Sequence, residues 1–259
     1  ELVYVDLPRG STRSGWYSTR SARLTHAMWE QIAQRQQAFS GVAAWSATRF
    51  NLASGGEVRY AEGMYVNGDF FQVLGVHPIA GRLLTTTDDT PACNDPGAVV
   101  SHAFWQRELG GDPNAVGRTL TLEGHPFPVV GITPASFFGV EVGRQYDIAI
   151  PLCADRVLDV NRTEERGRAP IRHAWWISAM GRLKPGWTVQ KADAHMKALS
   201  PGIMEASLPQ TYRPDTAKKF LANKLEATPG ETGVSGLRRE YERPLWLLLT
   251  TTALVLLIA

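Results

Sequence analysis

The chain has 259 residues and only two cysteines, Cys93 and Cys153. That excludes a multi-disulfide scaffold and a cysteine-rich metal centre. Neither sign of charge dominates: 27 Lys and Arg stand against 25 Asp and Glu, a formal charge of +2. No dense basic stripe exists, so nucleic acid is not an expected partner. No Gly-x-x-x-x-Gly-Lys-[Ser/Thr] run occurs, so no P-loop nucleotide site is expected. Gly233-Val234-Ser235-Gly236 is not a Gly-x-Ser-x-Gly elbow, which argues against an α/β-hydrolase. The six histidines show no His-x-x-x-His or Glu-x-x-His spacing, so no metal site is expected. The first residues, Glu1 to Val5, lack the basic start and long apolar run of a signal peptide.

What is present is an ordinary globular balance, 44% hydrophobic and 20% charged, which excludes wholesale disorder, collagen and coiled coil. Eight tryptophans are many. Trp29, Trp105, Trp175 and Trp176 sit in regular elements beside apolar residues, so core packing is expected rather than a sugar-stacking platform. The sharpest break is the uncharged run Leu245 to Ala259. Its threonines can bond their hydroxyls to helix carbonyls. Fifteen residues at about 1.5 Å each reach about 22 Å, short of the roughly 20 residues of a span. The expected element is the start of a membrane helix, with Arg238, Arg239, Arg243 and Trp246 at the interface. Three Arg against two Glu over 238–243 leave +1, which fixes no orientation.

Along the chain, residues 2 to 5 read as a strand and 8 to 23 as a mobile loop. A helix over 25 to 39 is capped by Thr25, with Met28, Ile32, Trp29 and Ala33 inward. Strands at 42 to 53 and 57 to 66 flank the turn Ser54-Gly55-Gly56, with Val58, Tyr60, Met64 and Val66 on one face. From 67 to 151 the elements shorten. They are a helix at 68–74 burying Phe70, Phe71 and Leu74, a polar loop at 88–97, and a strand at 98–100. A helix at 102–109 with Phe104 and Trp105 inward, a hairpin around Glu123-Gly124-His125, and a strand at 146–150 follow. Asp88-Asp89 reads as a solvated acidic pair, and Ser101 as a helix N-cap rather than a nucleophile. Residues 154 to 172 read as a charged, irregular return. A strand over Ala174 to Leu183 ends at Lys184-Pro185-Gly186. Thr188 caps a helix bearing Val189, Ala192, Met196 and Leu199, and a last strand runs from Phe220 to Ala227. Gly230, Gly233 and Gly236 read as a flexible joint.

The ordered runs Asn67-Gly68-Asp69-Phe70-Phe71-Gln72-Val73-Leu74-Gly75-Val76, Ser101-His102-Ala103-Phe104-Trp105-Gln106-Arg107, Val116-Gly117-Arg118-Thr119-Leu120, Phe137-Phe138-Gly139-Val140-Glu141-Val142-Gly143 and Arg182-Leu183-Lys184-Pro185-Gly186 resemble the periplasmic core domain of MacB-like ABC transporter permeases. The acidobacterial duplicated orphan permeases are the most similar subgroup. The resemblance implies an α+β fold: a split porter-like subdomain, 1–66 and 172–243, holding an inserted sabre-like subdomain, 67–151. A charged return linker at 152–171 and the start of a transmembrane helix at 244–259 complete it. It also implies an oxidising, extracytoplasmic setting. Members of the subgroup tend to carry cysteines at these two places, so a Cys93–Cys153 disulfide is expected.

The function implied is non-enzymatic. As an extracytoplasmic part of a permease in the cell inner membrane, the domain couples membrane-helix motion to export or transfer of a substrate in the envelope. No cofactor is expected. The implied partners are the membrane, a separate ATPase subunit or domain, and a second permease half or a homodimer. Gly230, Gly233 and Gly236 are the expected hinge. The alternative is a membrane-anchored receptor for glycan or peptide, which calls for several tryptophans exposed on one concave patch.

Overall fold

The computed structural model describes residues 1–8, 10–18, 24–53, 57–158, 167–230, 233–235 and 245–253. The expected turn at 54–56, Gly236, the 237–243 connector and residues 254–259 lie outside them. The first part of the chain supplies β1 (Leu2–Asp6), β2 (Trp16–Tyr17), β3 (Leu24–Thr25), α1 (His26–Arg35), β4 (Phe39–Asn51) and β5 (Tyr60–Val66). The middle supplies α2 (Phe70–Leu74), β6 (Ala80–Gly81), β7 (Ala98–Val100), α3 (His102–Leu109), β8 (Thr119–Leu122), β9 (His125–Ile132) and β10 (Ile148–Pro151). After a 3₁₀ turn, Leu152–Ala154, come α4 (Asp155–Leu158), β11 (Ala174–Leu183), α5 (Val189–Ser207), α6 (Pro214–Leu221) and β12 (Glu226–Pro229).

One mixed sheet runs in the order β12-β1-β11-β4-β5-β10-β7-β9-β6. Its seam is the parallel pairing of β5 with β10, Gly63 opposite Ile148 through Val66 opposite Pro151. Strand alternation sends successive side chains to opposite faces, and two cores result. Val3 and Val5 of β1, Ala44 of β4, Val100 of β7 and Ile148 and Ile150 of β10 enter the larger core. Met28, Ile32, Met196, Ile203 and Phe220, from α1, α5 and α6, fill the same core. Tyr4, Trp45, Val99 and Ala149, from those same strands, enter the smaller core with Phe70 and Phe71 of α2. The boundary between faces therefore stays unbroken across the seam.

Local chemistry explains most elements. Thr25 Oγ1 accepts from the Met28 amide and Thr188 Oγ1 from the Lys191 amide, so both expected caps form. Glu123 and Gly124 both take positive φ, 49° and 82°, the two-residue turn that matches strand twist in the β8–β9 hairpin. Two strand glycines give an aromatic ring room to lie across the sheet. A Cβ on Gly63 would sit 2.4 Å from the Phe50 ring, and one on Gly181 would sit 2.4 Å from the Phe39 ring.

Several expectations need correction. The strand expected over Phe220 to Ala227 is instead the end of α6, a turn, and the start of β12. Pro214 at the first helical turn starts α6, and Phe220 is its buried residue. The 8–23 loop contains β2, which pairs in parallel with β11. In α1, Ala33 is exposed and Trp29 half-buried, so the inward stripe is Met28 and Ile32. In α2, Val73 is buried and Leu74 only partly. In α3, Trp105 is half-buried and gives its indole N–H to the Asp112 carbonyl, 2.9 Å away. Val58 and Tyr60 are 50% and 66% exposed, because β5 begins beyond the covered part of the sheet. In α5, Val189 and Leu199 are partly exposed, and Ser200, Ile203 and Met204 carry the buried stripe with Ala192 and Met196. The 154–172 return, expected to be charged and irregular, holds the helix α4 and a buried ion pair.

Candidate functional site

The chain enters and leaves the sheet at one end. Gly230 donates its amide to the Leu2 carbonyl, 2.9 Å away, just past the β1–β12 ladder. Four residues on, Val234 donates to the Val140 carbonyl and accepts from the Val142 amide, both at 2.9 Å. Glu141 and Val234 thus form a parallel bridge. The loop carrying them, 137–143, belongs to the middle part of the chain. The exit is therefore tied both to β1 and to the segment beyond the seam. Gly233 turns at φ 70°, and its amide bonds to the Gly230 carbonyl at 3.0 Å. Of the three expected hinge glycines, Gly230 and Gly233 lie at this junction.

An open cleft of about 460 Å³ lies beside the junction, lined by Leu2, Leu74, Phe137, Val140, Val142 and Met180 among others. Phe138 and Val142 stand on its rim, 58% and 52% exposed. Glu141, the one charge in 137–143, turns inward and accepts the Trp45 indole N–H at 3.1 Å. Farther along, residues 245–253 are helical and project freely, Leu245 to Leu249 being 60–67% exposed. Thr250, Thr251 and Thr252 bond their hydroxyls to helix carbonyls, as expected. Among the described residues no helix is long and apolar enough to cross a membrane.

A second cleft, of about 730 Å³, lies where α1 faces the 89–91 loop and the 3₁₀ turn, with His26, Trp29, Asp89, Pro91, Cys153 and Arg156 in its walls. Burial holds the His26 imidazole below its ordinary value, against the pull of Glu30 and Asp155. Here Cys93 and Cys153 are joined, with Cα atoms 5.4 Å apart. Asp89, expected in solvent, is largely buried beside the bridge. It accepts the Cys153 amide at 2.8 Å and the Gly68 amide, one from each place where the chain crosses between the outer and middle segments. Nothing local in Asp88-Asp89 marks this, because the partners lie far away in sequence.

Burial raises the Asp89 pKa from 3.8 to about 6, with the two amides opposing and Asp69 and Asp88 adding to it. The folded value lies above the unfolded one, so Asp89 lends its full stability below pH 3.8 and loses it as pH rises through about 6. The loss is about 3 kcal/mol at roughly 1.4 kcal/mol per unit. Asp88 and Glu62 act in the opposite sense. Their burial is outweighed by bonds from Arg82 and Thr85, and from Arg144 and Arg49, so their contribution disappears as pH falls. Asp89→Asn should therefore gain on the parent protein as pH rises across the 3.8–6 window. Denaturant midpoints that track in parallel across that window would reject the assignment.

Ser101 is buried and its Oγ caps α3 by accepting the Phe104 amide at 3.1 Å. The neighbouring His102 ring packs on Trp105, 5.4 Å between centroids. Among the described residues no group of three or more His, Cys, Asp or Glu is placed to hold a metal. Trp45, Trp175 and Trp176 are fully buried, and Trp29, Trp105 and Trp187 are partly packed on the larger core.

The family model for the MacB-like periplasmic core domain matches residues 2–199. The periplasmic region of MacB from Actinobacillus actinomycetemcomitans is similar in fold, with a TM-score of 0.56 at 14% identity over 89% of each chain. A domain described as part of a permease protein from Porphyromonas gingivalis gives a TM-score of 0.50 at 14% identity, covering 88% of this chain and 89% of that one. No curated protein matches the chain. The mixed sheet with helices, the match over most of the length, and both structural likenesses agree: this chain belongs to the MacB-like periplasmic core domain family of ABC-type permeases.

Proposed function

We propose that the chain is a non-catalytic transmission element on the periplasmic side of the inner membrane, passing membrane-helix motion driven by a separate ATPase to a substrate in the envelope. In this reading 1–66 and 172–243 act as one porter-like body and 67–151 as the insert it carries. The observation that carries the proposal is the single sheet through both parts, with entry, exit and the 137–143 loop joined at one end. A displacement of the exit strand would reach β1 through Gly230 and the insert through Val234, with no rearrangement of either core. The receptor alternative calls for exposed tryptophans on one patch, and three tryptophans of the sheet are fully buried.

Copurification of the permease from its native membrane tests the partner: an ATPase subunit should accompany it, with a second permease half or a second copy. Gly233→Ala tests the joint. At φ 70° a side chain costs about 1–2 kcal/mol. The added Cβ would also lie 3.1 Å from a Val142 methyl and 3.3 Å from the Val140 carbonyl oxygen. ATP hydrolysis by the reconstituted complex should persist while substrate transfer falls. Equal loss of both, or of neither, would remove Gly233 from the coupling path.

A further inference from the structure

We infer that the 137–143 loop and the apolar cleft behind it form a seat for the outer leaflet of the bilayer, so that the insert, and not only the terminal helix, touches lipid. The inference rests on the membrane reading of residues 245–259.

Three observations converge on it. The rim residues Phe138 and Val142 are more than half exposed, and the cleft behind them is lined almost wholly by aliphatic and aromatic side chains. An exposed apolar rim of this kind marks an interaction surface. Its charges are withdrawn. Glu141 bonds to Trp45, and the next charged residue, Arg144, is bound to Glu62 at 2.7 Å and to the Thr48 carbonyl at 3.0 Å. The loop's one charge is turned toward the protein and holds a hydrogen bond there, which lowers the cost of such contact. Finally, the loop is bonded to the exit strand at Val234, eleven residues before Leu245 opens the exposed apolar helix. Eleven residues span at most about 40 Å even when fully extended. The apolar helix is thus tethered within about 40 Å of the apolar rim. A rim of this size would sit at the headgroup–acyl boundary, about 5–10 Å deep, rather than span the bilayer.

The test uses the chain with its apolar segment reconstituted in phosphatidylcholine vesicles brominated near the top of the acyl chains, with unbrominated vesicles as reference. Phe138→Trp adds an indole at the rim. Val58→Trp adds one at an exposed site two residues before β5. Trp246→Phe reports the helix through the quenching it removes. The inference expects the emission added by Phe138→Trp to be largely quenched and that added by Val58→Trp to survive. If Trp246 is quenched while the Phe138→Trp emission is not, the seat is overturned and the helix reading stands. If neither is quenched, both fall. If both added indoles are quenched alike, the contact is unspecific and the seat is overturned. Amide exchange of 137–143 in the unmutated chain gives a variant-free check. Protection there should rise on vesicles, and unchanged protection would overturn the seat.

Discussion

Removing the Cys93–Cys153 bridge should lower the unfolding free energy by about 4 kcal/mol, through the loop-closure entropy restored to the unfolded chain. The bridge spans a sequence separation of 60 residues and encloses β7, α3, β8, β9 and β10. The native structure should survive its loss. The Cys153 amide is still held by Asp89, and Arg156 still reaches the Pro91 carbonyl at 2.7 Å. Cys93 is 7% exposed, so a thiol or a methyl there remains a small buried apolar group. Denaturant unfolding of the oxidised protein, the reduced protein and the Cys93→Ala/Cys153→Ala variant measures the effect. The last two should agree with each other and fall well below the first. A loss under about 1 kcal/mol would mean that the unfolded chain is held compact by something other than the crosslink. Thiol titration of the unfolded, unreduced chain should find no free thiol, and two thiols per chain would reject the bridge.

Two cysteines leave one intramolecular pairing, and the resemblance is what turned that possibility into an expected bridge. Residue pattern alone leaves Cys93 and Cys153 as two loop cysteines. Other features were legible for local reasons. β11 runs over Ala174–Leu183, as its apolar run and the following Pro-Gly turn predict, because burial on both faces and a turn set its ends. The caps at Thr25, Ser101 and Thr188 are short-range chemistry, satisfied within three residues. What sequence reasoning missed depends on long-range meetings. Phe220, Leu221, Leu225 and Ala227 look like one apolar strand, yet the chain turns between them. The Ser200 hydroxyl accepts the Leu225 amide at 2.8 Å and Asp193 accepts the Ala227 amide at 3.1 Å, so α5 decides where β12 begins. The apolar cleft beside the exit was equally hidden. Phe138 and Val142 in a list of residues read as ordinary apolar positions, and only the pairing of 140–142 with Val234 sets them beside the exit.

The largest single-residue loss is expected at Asp155, in the stretch that sequence alone marks as a charged, irregular return linker. The carboxylate is buried, 5% exposed, and Oδ1 receives both Nε and Nη2 of Arg168 at 2.7 Å. Oδ2 accepts the Arg168 backbone amide. The guanidinium lies over aromatic faces, 4.1 Å from the Trp176 centroid and 4.8 Å from that of Tyr65. Such stacking contributes about 0.5–2 kcal/mol, too little to hold an unpaired buried cation. Asp155→Ala should therefore cost about 3–5 kcal/mol, the usual result of breaking a buried pair from one side. Removing both charges should cost less, because no lone charge remains inside; Asp155→Ala/Arg168→Met should be milder than Asp155→Ala alone. A double variant at least as unstable as the single one would show that the pair acts through packing rather than charge. A second readout separates the two accounts. Asp155 is one of the two carboxylates that pull the His26 pKa upward against its burial. In Asp155→Ala the imidazole should titrate lower still, followed by the NMR shift of its ring protons, whereas a loss of packing that admits water to the ring would move it back up.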